Sequence, residues 1–447
     1  MVKIYNSLTK TIEEFHPIKE NEVMIYVCGP TVYNYIHIGN TRPVIFFDTV
    51  VRFFKYLGFK VTYVSNYTDI DDKIINRAKE EHITEEQVTE KYILAFEKTC
   101  ERLNCLRLDF NPRVTENMSG IIDFIQLLVS KDGAYEVDGD VYFDVAKDPD
   151  YGILSGQSIE NMLNGVRIDP NLRKRNPIDF NLWKETAEGK NWPSPWSQGR
   201  PGWHTECVVM INSIFHGKID IHGGGSDLKF PHHENEIAQS VCANGHKLAN
   251  YWMHNGRFDM EGEKMSKSLG NVVWAHELLD RIDYQTFRLM VLNVPYRQPM
   301  NYKEELLEQA KKDSEKIYRS YLTIFRQLEL SEKTKPAEDE EIKTLRAGFV
   351  DAMSDDFNTA NAITSVFQMT KLANSLLREK EQNLPRMTAA LNLFGDMLWV
   401  LGMNFEIKPL SETDVSLVKK WHEARKNKDF QLADELRQQI NAKGIIL

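Results

Sequence analysis

One stretch, from Met24 to Asn40, constrains the fold of this chain more than any other. Met24–Val27 is a short apolar run, which is typical of a buried parallel strand. His37–Asn40 then lies in the turn that leads into the next apolar segment, so Cys28 is predicted at the carboxyl end of a strand. In an open α/β sheet, ligands bind in the crevice outside the carboxyl ends of the strands. The sequence therefore predicts an α/β fold with a parallel sheet and a ligand crevice near Cys28.

The helix after this turn is predicted from the apolar segment that begins at Pro43, with Asp48 and Arg52 on its solvent side. Exposed amides at its amino end, with Gly39 allowing close backbone approach, suit a triphosphate. An ordinary strand, loop and helix with a surface histidine at His37 is an open alternative, because four-residue motifs match many unrelated chains.

A second feature is the basic segment Lys264–Asn271, in which Lys264 and Lys267 flank small hydroxyl residues. Alone, it could be a solvated surface loop. Together with His37–Asn40, and in this order, it resembles the signature pair of class I aminoacyl-tRNA synthetases. The pairing has a chemical reason: when a carboxylate attacks an α-phosphate and expels pyrophosphate, imidazole, amides and lysines can stabilise the developing negative charge.

Composition limits the class of protein. The chain has 447 residues, 42% of them hydrophobic, and five scattered cysteines. This length predicts about three domains, and the cysteines are too few for a disulfide framework, so a reducing cytoplasm is expected. No apolar run is long enough for a bilayer, and the first residues lack a signal-peptide core. The net charge of -10 argues against indiscriminate nucleic-acid binding, although not against a local basic track for a structured RNA.

The pattern changes near Asn111, and Asp138–Asp140, between the runs 134–137 and 141–145, is a hairpin signal. This region is predicted to be an insertion that splits a Rossmann-type parallel-sheet domain, which a helical bundle and a small module then follow. The predicted domains are the first catalytic half (1–112), an inserted connective domain (113–198), the second catalytic half (199–272), a helical junction (273–330), a helical bundle (331–407) and a C-terminal module (408–447).

A possible metal site lies in the second half. His232 and Glu236 are four residues apart on a predicted helix, so they share a face, and imidazole and carboxylate are suitable zinc ligands. Cys28 and Cys207 could add two thiolates from neighbouring strand ends. His233 could replace His232, because spacing does not distinguish adjacent histidines. Buried cysteines that act as small apolar residues are the common alternative.

Several long strings, taken in order, look like cysteinyl-tRNA synthetases. They are residues 28–43, 66–73, 202–207, 220–236 and 262–268. The resemblance implies one Zn²⁺ per chain, held by Cys28, Cys207, His232 and Glu236 and joined by the thiolate of the substrate cysteine. Zinc is borderline soft and holds sulfur well, whereas the hydroxyl of serine is a poor replacement.

The resemblance also implies a two-step reaction. Cysteine and ATP, with Mg²⁺, form cysteinyl-adenylate, which is then transferred to the terminal 2′-hydroxyl of tRNA(Cys). The implied catalytic residues are His37, Lys264 and Lys267. The implied ATP contacts are Gly29, His37, Gly39, Asn40, Lys264 and Lys267, and the implied cysteine-pocket residues are Thr68, Trp203, His222 and Asp227. Asp227 could bind the α-amine or the ribose.

The C-terminal module resembles an anticodon-binding module, in which Phe430 could stack on a base while Arg425 and Asp434 read base edges. An amphipathic hairpin with charges in water is the alternative. The chain ends at Leu447 without the acidic-then-basic tail that the resemblance leads us to expect, which puts full anticodon affinity in doubt. Asn40 is a second departure, because the general class I pattern has a histidine there.

Two rival functions share parts of this pattern. One is a cysteine ligase of the mycothiol pathway, which joins cysteine to an amino-sugar. The other is a catalytically idle RNA-binding paralogue, against which His37, Lys264 and Lys267 argue. We expect a monomer that works in the cytoplasm, with no membrane partner.

Overall fold

The computed structural model describes residues 1–158, 173–260, 262–265 and 272–445, with only the backbone for 263 and 264. The chain divides into two compact units. Unit 1 consists of Met1–Ile282 and Tyr296–Tyr302, and unit 2 of Asp283–Pro295 and Lys303–Leu447. The finer domain boundaries predicted from the sequence stay predictions.

The described strands all lie in unit 1. They are β1 (Lys3–Asn6), β2 (Thr11–Glu14), β3 (Glu22–Val27), β4 (Lys60–Ser65), β5 (Ala134–Val137), β6 (Asp140–Phe143), β7 (Phe180–Glu185), β8 (Trp192–Pro193), β9 (Gln198–Pro201), β10 (Ile219–Gly225), β11 (Ala249–Asn255), β12 (Phe258–Met260), β13 (Glu263–Lys264) and β14 (Met300–Tyr302).

The described helices are α1 (Ile38–Tyr56), α2 (Asp72–Glu81), α3 (Glu85–Arg102), α4 (Met118–Ser130), α5 (Glu206–Phe215), α6 (Glu234–Asn244), α7 (Ala275–Arg281), α8 (Tyr284–Leu292), α9 (Glu304–Glu329), α10 (Glu340–Ser354), α11 (Thr359–Leu376), α12 (Leu384–Val400), α13 (Glu412–Lys426) and α14 (Phe430–Ala442).

The central sheet of unit 1 has the order β11–β10–β3–β4, and all three pairings are parallel. Five of the six residues of β3 are buried, as the apolar run Met24–Val27 predicts for a strand covered on both faces. Two of these strands precede the predicted insertion and two follow it. The predicted α/β class with a split parallel sheet is confirmed.

A separate antiparallel sheet, with the order β5–β6–β7–β9–β8, is formed by the intervening sequence. Its β5–β6 hairpin confirms the turn signal at residues 138–140, where Asp138 and Gly139 both have positive φ. This sheet, α4 and the parallel sheet share one buried apolar cluster, to which they contribute Trp183, Ile125 and Trp252 respectively.

Helix α1 differs from its prediction in two ways. It begins at Ile38, so Pro43 lies inside it. The prediction that Asp48 and Arg52 face solvent is wrong, because their side chains are 2% and 3% exposed and form an ion pair of 2.8 Å. Each also holds the chain after α3: Asp48 accepts from the Leu106 amide at 2.7 Å, and Arg52 donates to the Asn104 carbonyl at 2.6 Å.

Unit 2 is helical over its described residues. Helices α8 to α12 pack on one another, with Phe349, Val366 and Leu393 fully or almost fully buried. Helices α13 and α14 form a hairpin with a small apolar contact of its own around Ala424 and Leu436. Among the described residues no helix is both long enough and apolar enough to cross a membrane.

Candidate active site and metal centre

The carboxyl ends of the parallel strands form the site. Cys28 follows β3 directly, and its amide donates to the Gly223 carbonyl of β10 at 3.1 Å. Because parallel strands end at the same edge, the residues after β3, β4, β10 and β11 lie together there. Cys207 comes from the first turn of α5, close to the same edge.

The four predicted ligands, Cys28, Cys207, His232 and Glu236, form one cluster at this edge of the sheet. The Sγ atoms of Cys28 and Cys207 are 3.8 Å apart, and Cys207 Sγ lies 3.7 Å from His232 Nε2. Glu236 Oε1 is 2.9 Å from His232 Nε2 and 3.8 Å from Cys28 Sγ. Two thiolates on a tetrahedral zinc, with Zn–S of about 2.3 Å, are about 3.8 Å apart. The donor set therefore fits a metal of this kind.

A second set of donors overlaps the first. Cys28, His222, His233 and Glu236 also have ligand atoms that lie within 4.8 Å of one another. Cys28 Sγ is 3.2 Å from His233 Nε2, and His222 Nε2 is 2.6 Å from Glu236 Oε2. The structure therefore brings both His232 and His233 to the cluster. Their positions alone do not decide which of the two is the metal ligand.

The backbone that carries these histidines is not the regular helix predicted after Pro231. Phe230 is extended, with φ -140° and ψ 133°, within a short turn over Lys229–His233, and α6 begins only at Glu234. The expected contact between His232 and Glu236 nevertheless forms, because this turn leads directly into the first turn of α6.

Burial and neighbouring charges set the protonation of the cluster. Burial, then the hydrogen bond with Cys207, raises the pKa of Cys28, whereas the hydrogen bond from Cys28 lowers the pKa of Cys207 to about 6. Burial alone would lower the pKa of His232, but Glu236 and Cys207 raise it to about 10. Burial alone would raise the pKa of Glu236, yet His222 and His232 hold it well below its usual value.

A fourth histidine, His204, which belongs to neither donor set, contacts His232. Burial, then the charge of His232, lowers the pKa of His204 to about 3, so His204 is neutral and accepts from His232 at Nδ1, over 3.2 Å. This contact leaves Nε2 of His232 directed at Cys207, as a metal ligand held by an outer hydrogen bond would be. His204 lies in the string 202–207 but is not among the site residues that the sequence predicts.

The predicted phosphate-binding motif lies at the amino end of α1. His37 caps the helix, its Nδ1 accepting from the Gly39 amide at 3.1 Å, and the Asn40 side chain accepts from the His37 amide at 3.2 Å. A Cβ on Gly39 would lie 2.8 Å from the His37 ring. A larger residue at position 39 would therefore clash with the His37 ring in its observed position. Asn40, which replaces the second histidine of the general pattern, thus completes a capping box.

A cavity of about 1220 Å³ extends from this motif to Cys28, the member of the candidate metal site that lines it. Gly29, His37, Asn40 and Asp227 line it, together with Cys28 and Trp203. The Trp203 ring, 41% exposed, stacks on His232 with the ring centroids 4.5 Å apart. Two other predicted pocket residues are buried beside the cluster: Thr68 accepts from Asn66, and His222 contacts Glu236.

The predicted lysine loop is described only at its ends. Lys264 belongs to β13, which pairs with β12, and Lys267 lies outside the described residues. At the other end, the Ile38 amide donates to the Val273 carbonyl at 2.9 Å, and Trp274 forms a bridge with His37. The chain after the loop is therefore hydrogen-bonded to the predicted phosphate-binding motif.

The three residues predicted to contact tRNA lie on the α13–α14 hairpin in unit 2 and are exposed. Phe430, the first residue of α14, is 69% exposed. The Arg425 guanidinium lies over the Trp421 ring, 4.9 Å from its centroid, and Asp434 lies one turn after Phe430.

Comparison with known proteins gives concordant matches. A family model described as "tRNA synthetases class I (C) catalytic domain" matches residues 14–312, and one described as "DALR domain" matches residues 348–406. The second match covers the end of α10 and all of α11 and α12, upstream of the predicted module 408–447.

Curated relatives match over the whole length. The cysteine–tRNA ligase of Geobacillus thermodenitrificans is 47% identical over 451 residues, covering 100% of this chain and 97% of that protein. The cysteine–tRNA ligase of Clostridioides difficile is 46% identical with the same coverage. Among solved structures, methionyl-tRNA synthetase of Mycobacterium tuberculosis bound by methionyl-adenylate has a TM-score of 0.62 at 14% identity, covering 89% of this chain and 93% of that one. This last match shows a shared fold.

Proposed function

The chain belongs to the cysteine–tRNA ligase family of class I aminoacyl-tRNA synthetases, and on that premise we propose how its residues select and activate cysteine. Such an enzyme joins L-cysteine to tRNA(Cys) with ATP. The observation that carries the proposal is the pair of thiols 3.8 Å apart, next to a histidine and a carboxylate, at one end of a cavity that reaches the helix-cap motif.

The proposed metal is one Zn²⁺ per chain, bound by Cys28, Cys207, His232 and Glu236. When bound, zinc supplies a borderline-soft Lewis acid that prefers the sulfur of cysteine to the oxygen of serine. We favour this set over the one with His222 and His233 because it offers two thiolates. His222 then hydrogen-bonds the second oxygen of Glu236, at 2.6 Å, and holds that ligand in place.

The residues around the cluster form the proposed cysteine pocket. Trp203, stacked on His232 and facing the cavity, covers the side chain of the amino acid. Asp227 lines the same cavity and offers a carboxylate to the α-amine or to the ribose of ATP. Thr68 and His222, which are both buried, are proposed to contribute polar groups to the pocket. A pocket that reads sulfur directly can reject serine without a separate editing step.

The proposed activation step uses the amino end of α1. The carboxylate of cysteine attacks the α-phosphate of ATP, which carries Mg²⁺, and pyrophosphate leaves. His37, Lys264 and Lys267 stabilise the negative charge that develops on the phosphates, while Gly29, Gly39 and Asn40 let the nucleotide approach the backbone. No general base is assigned among these residues; positioning and charge stabilisation are proposed to be sufficient.

In the second step the 2′-hydroxyl of the terminal adenosine of tRNA(Cys) attacks the carbonyl carbon of the adenylate. The ester bond to tRNA forms, the bond to the phosphate breaks, and AMP and a proton leave. The exposed Phe430 is proposed to stack on an anticodon base, and Arg425 and Asp434 to read base edges. We further propose that the protein acts as a monomer in the cytoplasm.

The test is cysteine-dependent ATP–pyrophosphate exchange, measured with and without a zinc chelator, followed by transfer of labelled cysteine to tRNA(Cys). We expect exchange that the chelator abolishes, that zinc restores and that serine does not support, and then charging. Exchange that is unaffected by complete zinc removal would refute the zinc proposal. Exchange without charging, but with transfer to an amino-sugar, would favour the mycothiol-type ligase.

A further inference from the structure

Asn66 lies where two strand ends meet the metal cluster. It follows β4 directly, beside the end of β3, and it is 1% exposed. Burying a side-chain amide is costly unless its polar atoms are hydrogen-bonded. The hydrogen bonds of Asn66 therefore indicate why an amide side chain is buried at this position.

Those bonds connect three parts of the site. The Gly29 amide donates to Asn66 Oδ1 at 2.9 Å, and Asn66 Nδ2 donates to Thr68 Oγ1 at 3.2 Å. Oδ1 also lies 3.9 Å from Cys207 Sγ. The orientation of the amide is fixed chemically, because a flipped amide would point its NH₂ at the Gly29 N–H, two donors facing each other.

The backbones are just as close. A Cβ on Gly29 would lie 1.6 Å from the Asn66 carbonyl oxygen, so glycine is required for this approach. The Thr68 amide donates to the Pro30 carbonyl at 3.1 Å. The segment that carries Asn66 is thus fastened to the loop immediately after Cys28.

We propose that Asn66 is a positioning residue that sets the affinity for zinc and for cysteine, an inference that rests on the proposed zinc site. By holding the Gly29 amide, it fixes the peptide that follows the ligand Cys28. Because the Thr68 hydroxyl accepts from Asn66, its own proton must point elsewhere, which fixes how it donates. One side chain therefore sets the geometry of a metal ligand and of a pocket hydroxyl.

The test uses two substitutions and a matched control in the zinc-loaded full chain. Asn66→Ala removes both bonds, whereas Asn66→Asp keeps the acceptor for the Gly29 amide and loses the donor to Thr68. Asn6→Ala is the control, because Asn6 is also 1% exposed and also binds backbone amides, those of Leu8 and Trp252, at 3.2 and 3.0 Å. The readouts are the zinc Kd by chelator competition, the Co²⁺–thiolate absorption, the KM for cysteine and for ATP, and Tm.

We expect Asn66→Ala to weaken zinc binding roughly 10–100-fold and to raise the KM for cysteine, with the KM for ATP within about twofold of wild type. Asn66→Asp, which keeps the acceptor for the Gly29 amide, should lose less zinc affinity than Asn66→Ala and still raise the KM for cysteine. Asn6→Ala should lower Tm without changing the zinc Kd.

Two results would overturn the role of Asn66: a wild-type zinc Kd and cysteine KM in Asn66→Ala, or an equal loss of zinc affinity in Asn6→Ala. Failure of the proposed function is seen separately, in the wild-type arm, as a protein that binds no zinc or activates no cysteine.

Discussion

Replacing the thiol of Cys28 by a hydroxyl is the sharpest perturbation of the proposed metal centre. Cys28 belongs to both overlapping donor sets, and it also lines the cavity. Zinc held by four protein ligands gains about 10–16 kcal/mol in apparent binding free energy at neutral pH, so one ligand accounts for roughly 2.5–4 kcal/mol. Cys28→Ser should therefore weaken zinc binding on the order of 10²–10³-fold, since each 1.4 kcal/mol is about tenfold.

The assay is chelator competition for zinc, run beside cysteine-dependent ATP–pyrophosphate exchange. Cys242→Ser is the control, because Cys242 is a half-buried free cysteine on α6 that belongs to neither donor set. Zinc affinity and exchange should fall together in Cys28→Ser and stay unchanged in Cys242→Ser.

The same assay distinguishes the two donor sets. Cys207→Ser should weaken zinc as strongly as Cys28→Ser if Cys207 and His232 are ligands, whereas His222→Ala should cost only roughly 10–100-fold, as expected for an outer hydrogen-bond partner. A Cys28→Ser protein that keeps wild-type zinc affinity would refute both sets. Full zinc affinity in Cys207→Ser, with severe loss in His222→Ala, would show that the metal binds to the other set.

Three further predictions follow from exposure, burial and charge. Phe430→Ala should lower tRNA charging by about 1–3 kcal/mol in kcat/KM while leaving pyrophosphate exchange and Tm unchanged, because the ring is 69% exposed; equal loss in both reactions would instead indicate misfolding. Asp48→Asn should destabilise the protein by about 3–5 kcal/mol, seen as a lower urea midpoint, because it leaves the buried charge of Arg52 without its carboxylate; an unchanged midpoint would contradict this. Without metal, Cys28, whose pKa is raised, and His232, with a pKa of about 10, both carry protons near neutral pH. Zinc must displace these two protons, so its apparent affinity should rise with pH, by up to about a hundredfold per unit between about pH 7 and 8; chelator competition at several pH values would reveal a flat profile if this is wrong.

The class of fold could be predicted from the sequence because the strand signals are local. Met24–Val27 and Lys60–Val64 are short apolar runs that end in polar turns, and both became parallel strands. The error at Asp48 and Arg52 has a physical cause. Charges four residues apart on a helix normally face water, and the groups that bury this pair, the Leu106 amide and the Asn104 carbonyl, lie far along the chain.

The candidate site, like the fold, could be predicted where the signal is local and not where it depends on distant residues. Residue types and spacing pointed to the Cys, His and Glu donors, but spacing alone does not separate His232 from His233, and the backbone between Phe230 and Glu234 is irregular. The role of Asn66 could not be predicted from the sequence for a different reason. An asparagine after a strand is an ordinary turn residue, and its role is visible only when the Gly29 amide is seen against its side chain.

The sequence separation of the proposed metal ligands has a consequence for folding kinetics. Cys28 lies 179 residues before Cys207 and 208 residues before Glu236. The ligands meet only after distant strands have paired, which is a slow, high-contact-order event. If the contacts among these residues form only after the folding barrier, zinc bound there should slow unfolding and leave the folding rate unchanged. Zinc shortage would then shorten the lifetime of the folded enzyme rather than delay its formation.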